Sequence, residues 1–263
     1  MAWHSIRLRS LAASLLLGLA VPGLAAQTRP AQSQTRPPRP FVEHGFVTFN
    51  AGAQLTAGDL SDHVPFEANA ETGSIRTMYP GRPALVFDGG AGFLVRRHIG
   101  IAVNVSRATR SGAAAVTAEI PHPFFDDRHR VVEGDARDIS HNETAVHAQV
   151  YYELQQRGPW RIRLLAGPSY FNVEQELVTE VSAIETFPFD TAEFGRATTT
   201  RVKGSAVGFT GAIDVSRMLG RRVAVGGLVR YAGASVDLDA PGSREVSSAA
   251  GGFQALAGLR VAF

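Results

Sequence analysis

The chain has 263 residues, 44% of them hydrophobic, no cysteine, and a formal net charge of +2 that belongs to its first nine residues: without Arg7 and Arg9, 24 Lys plus Arg meet 24 Asp plus Glu. No net basic field remains to steer a nucleic acid, so no nucleic-acid partner is expected. The lack of cysteine excludes disulfides, thiolate nucleophiles and cysteine-based metal sites.

The amino-terminus reads as a secretory signal peptide over residues 1–26. Arg7 and Arg9 precede an apolar run from Leu11 to Val21 that is too short to cross a bilayer about 30 Å thick. Pro22-Gly23 breaks the run and small residues follow, which places cleavage after Ala25 or Ala26. Residues 27–42 form a Pro-rich linker in which Gln-Thr-Arg-Pro occurs twice; without large apolar residues it has nothing to pack.

From residue 43 to 263 the chain alternates. Eight strands are predicted, at about 43–55, 84–96, 98–108, 143–155, 159–173, 202–217, 221–237 and 247–263. Three of the connections are tight turns around Arg97, Gly158 and Gly220. The other four, at 56–83, 109–142, 174–201 and 238–246, are longer and read as loops. Short and long links alternate, as an up-and-down barrel with brief turns at one rim and extended loops at the other requires.

Period two sorts the strands into faces. One face collects Val47, Phe49, Phe87, Phe93, Ile101, Val103, Val105, Val146, Val150, Leu164, Val207, Phe209, Ile213, Val225, Val229 and Tyr231 without a single charge. The other collects Asp88, Asn104, His147, Gln149, Glu153, Arg161, Arg163, Asp214, Arg222, Arg230 and Arg260. Phe46, on this second face, is an exception. Such strands suit an all-β, eight-stranded antiparallel transmembrane barrel that is apolar outside and polar inside. A soluble, lipocalin-like barrel would need the reverse placement, and the closing strand argues against it. Phe253, Ala255, Ala257, Leu259, Val261 and Phe263 share a wholly apolar face that ends on an aromatic ring.

These features resemble the small eight-stranded outer-membrane barrels of Gram-negative bacteria, the OmpA/OmpX/OmpW-like group, over residues 43–263. The resemblance implies insertion in the outer membrane, contact with outer-membrane lipid, and recognition of a terminal aromatic strand by the outer-membrane assembly machinery. Phe263, with Leu259 and Val261, matches that signal.

An eight-stranded interior is just wide enough to be filled by side chains. Buried charges need partners, so Asp88, Glu153, Arg161, Arg163, Asp214, Arg222, Arg230 and Arg260 are expected to form a charge network that fills the lumen. The functional expectation is therefore a structural or surface-interaction role, with a narrow porin-like channel for small solutes as the alternative. An extracellular ligand would be met by the long loops, where Phe187, Phe189 and Phe194 stand among acidic residues. His122, Asp126, Asp127, His129 and His141 match no metal-binding spacing and read as solvated loop residues. Enzymes that modify lipid A exist on such barrels, but no local serine motif accompanies His141-Asn142-Glu143, and Ser140 beside His141 would point to the opposite face of a strand. No catalytic activity and no cofactor are expected.

Overall fold

The computed structural model describes residues 44–154, 158–242 and 244–263. The signal peptide and almost all of the linker lie outside the described residues. Ten antiparallel strands form one sheet: β1 (Gly45–Gln54), β2 (Leu60–Ala68), β3 (Glu71–Tyr79), β4 (Ala84–Arg96), β5 (Ile99–Pro121), β6 (His129–Leu154), β7 (Trp160–Glu185), β8 (Ala192–Met218), β9 (Val223–Ala240) and β10 (Arg244–Ala262). Eight of them close a ring in the order β5, β4, β1, β10, β9, β8, β7, β6 and back to β5. A closed ring leaves none of these eight strands as a bare edge over its lower part.

The eight predicted strands are the eight ring strands. What differs is their length. The segments read as long loops are largely strand: β5 and β6 run on into 109–142, β7 and β8 into 174–201, and β9 and β10 extend to Ala240 and from Arg244. The 56–83 segment carries a hairpin, β2 and β3, which turns at Asn69 and Ala70, both at positive φ, the geometry that hairpin turns favour. β3 then pairs with β5 from Ser74↔Glu119 to Met78↔Ala115, above the point where β4 leaves β5 at Leu85↔Thr109.

The ring therefore has two tiers. In the lower tier the outward face is the apolar set predicted from the sequence, including Phe49, Phe87, Ile101, Val103, Val150, Phe209, Tyr231 and Leu259, all exposed. The inward face carries Asn50, Asp88, Asn104, His147, Gln149, Arg163, Asp214, Arg230, Gln254 and Arg260, all buried. Above Arg107 the faces reverse. Val116, Ala118, Ile120, Val132, Phe171, Val173, Leu177, Val202, Val236, Leu238 and Val246 pack inside as an apolar core, while Glu133, Asp135, Lys203, Asp237 and Asp239 face out.

Phe46, the exception on the polar face, has a physical reason. Its ring stacks edge-on with Tyr151 at 5.4 Å between centroids, and the Arg163 guanidinium lies 4.0 Å from its centroid. Two inward glycines make the room. A Cβ at Gly92 would meet the Phe46 ring at 2.5 Å, and one at Gly100 would collide with Tyr151.

Candidate functional site

The lower lumen is the first candidate, because it concentrates the buried charges. Its central layer is a chain of side chains that crosses the interior. Asn50 Nδ2 donates to Asp88 Oδ1 at 2.8 Å, and Arg230 Nη1 donates to Asp88 Oδ2 at 2.8 Å. Arg230 Nε donates to Gln254 Oε1 at 2.9 Å, Gln254 Nε2 to Gln54 Oε1 at 2.9 Å, and Gln54 Nε2 to the Gly251 carbonyl at 2.6 Å. Asp88 and Arg230 stand on β4 and β9, with β1 and β10 between them in the ring, so their ion pair is a chord rather than a contact between neighbouring strands. Both side chains are completely shielded.

Nearer the short-turn rim lie a group of three and a further pair. Arg163 Nε meets Glu153 Oε2 at 2.8 Å, and Arg161 Nη1 meets Glu153 Oε1 at 2.8 Å. Arg260 Nε shares Asp214, 3.2 Å from each carboxylate oxygen. His147 hydrogen-bonds Ser106 at 3.0 Å and Ser169 at 2.7 Å. Asp88, Glu153, Arg161, Arg163, Asp214, Arg230 and Arg260, all singled out in the sequence, are thus linked in pairs or threes through the lumen. Arg222 is exposed, just before β9 begins at Val223, and its carbonyl accepts from the Ala262 amide at 2.7 Å.

Between the two tiers is a small cavity of about 30 Å³ lined by Leu60, Tyr79, Arg82, Arg110, His141 and Ser248, among others. The sequence pointed only to His141 here, and as a solvated loop residue. It is 4% exposed instead, with Nδ1 2.6 Å from Gln175 Oε1 and Nε2 4.0 Å from Glu143 Oε2. His122 is buried as well, against the Phe125 ring at 4.8 Å, whereas His129 is exposed. Among the described residues no group of three or more His, Asp or Glu side chains is placed to hold a metal ion.

At the far end of the long strands, the β5–β6 and β7–β8 turns meet. Phe124, Phe125 and Phe187 are exposed there, and Phe189 stacks on Phe124 at 5.6 Å. Arg128 joins the two turns through Asp190 at 3.1 Å. Phe194 behaves differently: its ring lies over Gly134, where no Cβ would fit. Below the tip, Glu174 pairs with Lys203 at 2.5 Å and Glu176 with Arg201 at 3.1 Å. Both carboxyls are held below the usual range, Glu174 by Lys203 and Glu176 chiefly by the Ser140 backbone amide.

At the opposite end, Phe263 closes the ring. Its carbonyl accepts from the His44 and Gly45 amides at 2.9 and 3.1 Å, and its ring stacks edge-on with Phe93 at 5.6 Å. Leu259 and Val261 face outward with it.

No protein-family model matches the chain, and no curated protein matches it as a relative. Several solved structures are similar in fold. Neisserial surface protein A is 14% identical, covers 83% of this chain and 97% of its own, and superposes with a TM-score of 0.41. The outer-membrane protein OprG of Pseudomonas aeruginosa is 11% identical, with 84% and 97% covered and a TM-score of 0.47. The outer-membrane protease OmpT of Escherichia coli is 10% identical, with 83% and 97% covered and a TM-score of 0.43.

Proposed function

We propose that this chain is an integral outer-membrane β-barrel of a Gram-negative bacterium, non-catalytic, with a plugged lumen and a structural or surface-interaction role. One observation carries the reading. The chord from Asn50 through Asp88, Arg230 and Gln254 to Gln54 crosses the lower tier as one hydrogen-bonded chain, with only Asn50 Oδ1 and Arg230 Nη2 of its buried side-chain atoms left over, and the apolar core of Val116, Leu177, Val236 and Leu238 fills the tier above it. Charges committed to one another across a narrow interior cannot also hydrate a passing solute. The uncharged outer face of the lower tier supports membrane insertion, since only a closed barrel satisfies strand backbones in lipid.

The exposed rings of Phe124, Phe125 and Phe187 at the long-strand end support surface interaction, because they offer apolar contact area beyond the barrel. The rival reading is a narrow porin-like channel. Planar-bilayer recording on the refolded protein decides: the plugged barrel gives no unitary steps, and stable steps of uniform, salt-dependent size would overturn it.

Biogenesis supplies a second test. In this reading the terminal strand, with Leu259, Val261 and Phe263 outward, is also the signal that the assembly machinery reads. Deleting Phe263 removes one interfacial ring and no interior charge, so refolding into vesicles should fall only slightly while the membrane-inserted yield in cells falls severely. Equal losses in the two settings would reduce Phe263 to an ordinary wall residue.

A further inference from the structure

Where β4 stops pairing with β5 at Thr109 and β3 starts at Ala115, residues 110–114 of β5 face no strand on that side. The link that crosses this stretch is Pro80-Gly81-Arg82-Pro83, whose two prolines have no amide hydrogen to continue a ladder. The link is pinned instead by the Gly81 amide, which donates to Asp59 Oδ1 at 2.7 Å. The result is a window in the wall, just above the last lipid-type residue Val105 and beside the outward Arg107. It opens onto the 30 Å³ cavity between the tiers.

The groups around this window have not satisfied one another. Arg110 is half-buried and lines the cavity, and among the described residues it has no ion pair. Burial holds its guanidinium below the ordinary pKa, with the Glu143 carboxylate offsetting part of that effect. Arg82 also lines the cavity, and its guanidinium rests on Gly112, where a Cβ would stand 3.0 Å from it. Directly across the ladder from Arg110 is His141. Nδ1 of His141 donates to Gln175 Oε1, so in the neutral ring Nε2 is an acceptor. That atom is buried and has no hydrogen-bond partner among the described residues.

Glu143, the nearby carboxylate, is already engaged: its Oε2 accepts from the Gly251 amide at 2.9 Å. The lining of the cavity itself holds two guanidinium groups and no carboxylate, so its interior is cationic. The cavity exceeds the roughly 10 to 15 Å³ that one water needs, but only enough to admit the charged end of a ligand. A carboxylate at neutral pH brings acceptors only and leaves Nε2 unmet. A phosphate monoester or hydrogen phosphate, with a second pKa of about 6, brings an oxyanion together with an acidic proton. Whether that proton sits on phosphate or on imidazole, one hydrogen bond forms to Nε2.

We propose that this window is a phosphate-binding site, in which Arg82 and Arg110 grip the oxyanion from its two sides and His141 Nε2 shares the phosphate proton. The phosphate could be free in solution, or it could be the headgroup of a lipid lying against the wall, since the window opens at the upper limit of the apolar belt. The site stands on its own geometry whether or not the lumen conducts.

The test titrates the refolded full-length protein in detergent with inorganic phosphate, followed by calorimetry and by phosphorus NMR. Saturable binding is expected, weakened roughly tenfold by either Arg82→Gln or Arg110→Gln, each of which removes a charge-assisted contact. Gly112→Ala keeps every charge but displaces the Arg82 guanidinium, so it should weaken binding less than either arginine variant. Arg201→Gln, on an exposed ion pair elsewhere, should leave binding unchanged. A second arm measures retention of phosphatidic acid, against phosphatidylcholine, by the protein in nanodiscs. Retention that inorganic phosphate displaces, and that Arg110→Gln abolishes, assigns the site to a lipid headgroup; phosphate binding without retention assigns it to a soluble ligand. No saturable binding in either arm, or binding equally strong in Arg82→Gln, Arg110→Gln and Gly112→Ala, overturns the proposal. Heat-modifiable gel mobility verifies that each variant is folded, and Gly112→Ala keeps the test decisive if an arginine variant fails to fold.

Discussion

Val103 and Val131 are both outward valines on neighbouring strands and are almost equally bare, 54% and 60% exposed, yet they belong to opposite kinds of wall. Around Val103 every outward neighbour is apolar and the residues behind the wall are polar. Around Val131 the outward neighbours are Glu133 and Asp135, and behind the wall is the core of Val132, Ile120 and Leu177. The backbone of β6 runs through both tiers without a break. What changes along it is the solvent that the outer face is built to meet. A wall in lipid gains nothing by hiding apolar groups inside, so the lower interior is free to hold charges, provided they pair. A wall in water must bury its apolar side chains, so the upper interior is packed as a soluble protein would be.

The largest effect expected from this contrast is in the lower lumen. Asp88→Ala leaves Arg230 fully buried without its carboxylate, and should cost about 3 to 5 kcal/mol in urea unfolding from vesicles. Replacing both partners, Asp88→Leu with Arg230→Met, should restore most of that loss, because an apolar pair of similar volume leaves no stranded charge. A double variant as unstable as Asp88→Ala alone would mean that Asn50 and Gln254, stripped of Asp88 and Arg230, account for the cost instead.

Next in size is the valine pair itself. Val103→Arg puts a guanidinium against hydrocarbon and should cost roughly 2 to 4 kcal/mol if it lies near the bilayer midplane. Val131→Arg, beside Glu133 and Asp135 in water, should change stability by less than about 0.5 kcal/mol. Equal tolerance of the two, measured by unfolding in the same vesicles, would erase the boundary between the tiers.

The lower tier was legible in the sequence and the upper tier was not, for the same physical reason. Lipid makes the outward face of residues 85–95, 99–105 or 253–263 apolar without exception, so a count by two finds it. In the upper tier the inward face of β5 is Ala114, Val116, Ala118 and Ile120, small enough to be taken for a loop, and the count itself fails. β6 carries an irregularity in its pairing with β5 near Asp138, at positive φ, and β7 carries another between Val178 and Glu180. Each such bulge shifts the residues that follow to the other face. Which lumen charges meet was not legible in the sequence, since Asp88 and Arg230 meet across three ring positions. Nothing in the sequence pointed to Arg82 or Arg110, whose proximity depends on the β2–β3 hairpin.

The smallest expected effect concerns the one side of the upper tier that no ladder closes. Among the described residues β2 pairs with β3 alone, and an ion pair links it to β10, Arg244 Nη2 to Asp62 Oδ2 at 3.0 Å. Burial raises the Asp62 carboxyl above its ordinary pKa, and Arg244 offsets only part of that rise. A carboxyl whose folded pKa lies above its unfolded value binds its proton more tightly in the folded state. The resulting stabilisation is complete below the unfolded pKa of about 3.9 and is lost as pH rises through the folded value. The seam should therefore open less as pH falls from neutral toward 4, by a factor of about two to five, equivalent to no more than about 1 kcal/mol. Removing the offset with Arg244→Gln should deepen this dependence, and Asp62→Asn should abolish it. Amide hydrogen exchange over residues 60–64, corrected for its intrinsic pH dependence, reads the opening directly, with residues 224–228 in the fully laddered lower tier as the insensitive reference. Faster opening of the seam at low pH would show that the ion pair outweighs the burial of Asp62, and would make this side of the upper tier electrostatically closed rather than closed by packing.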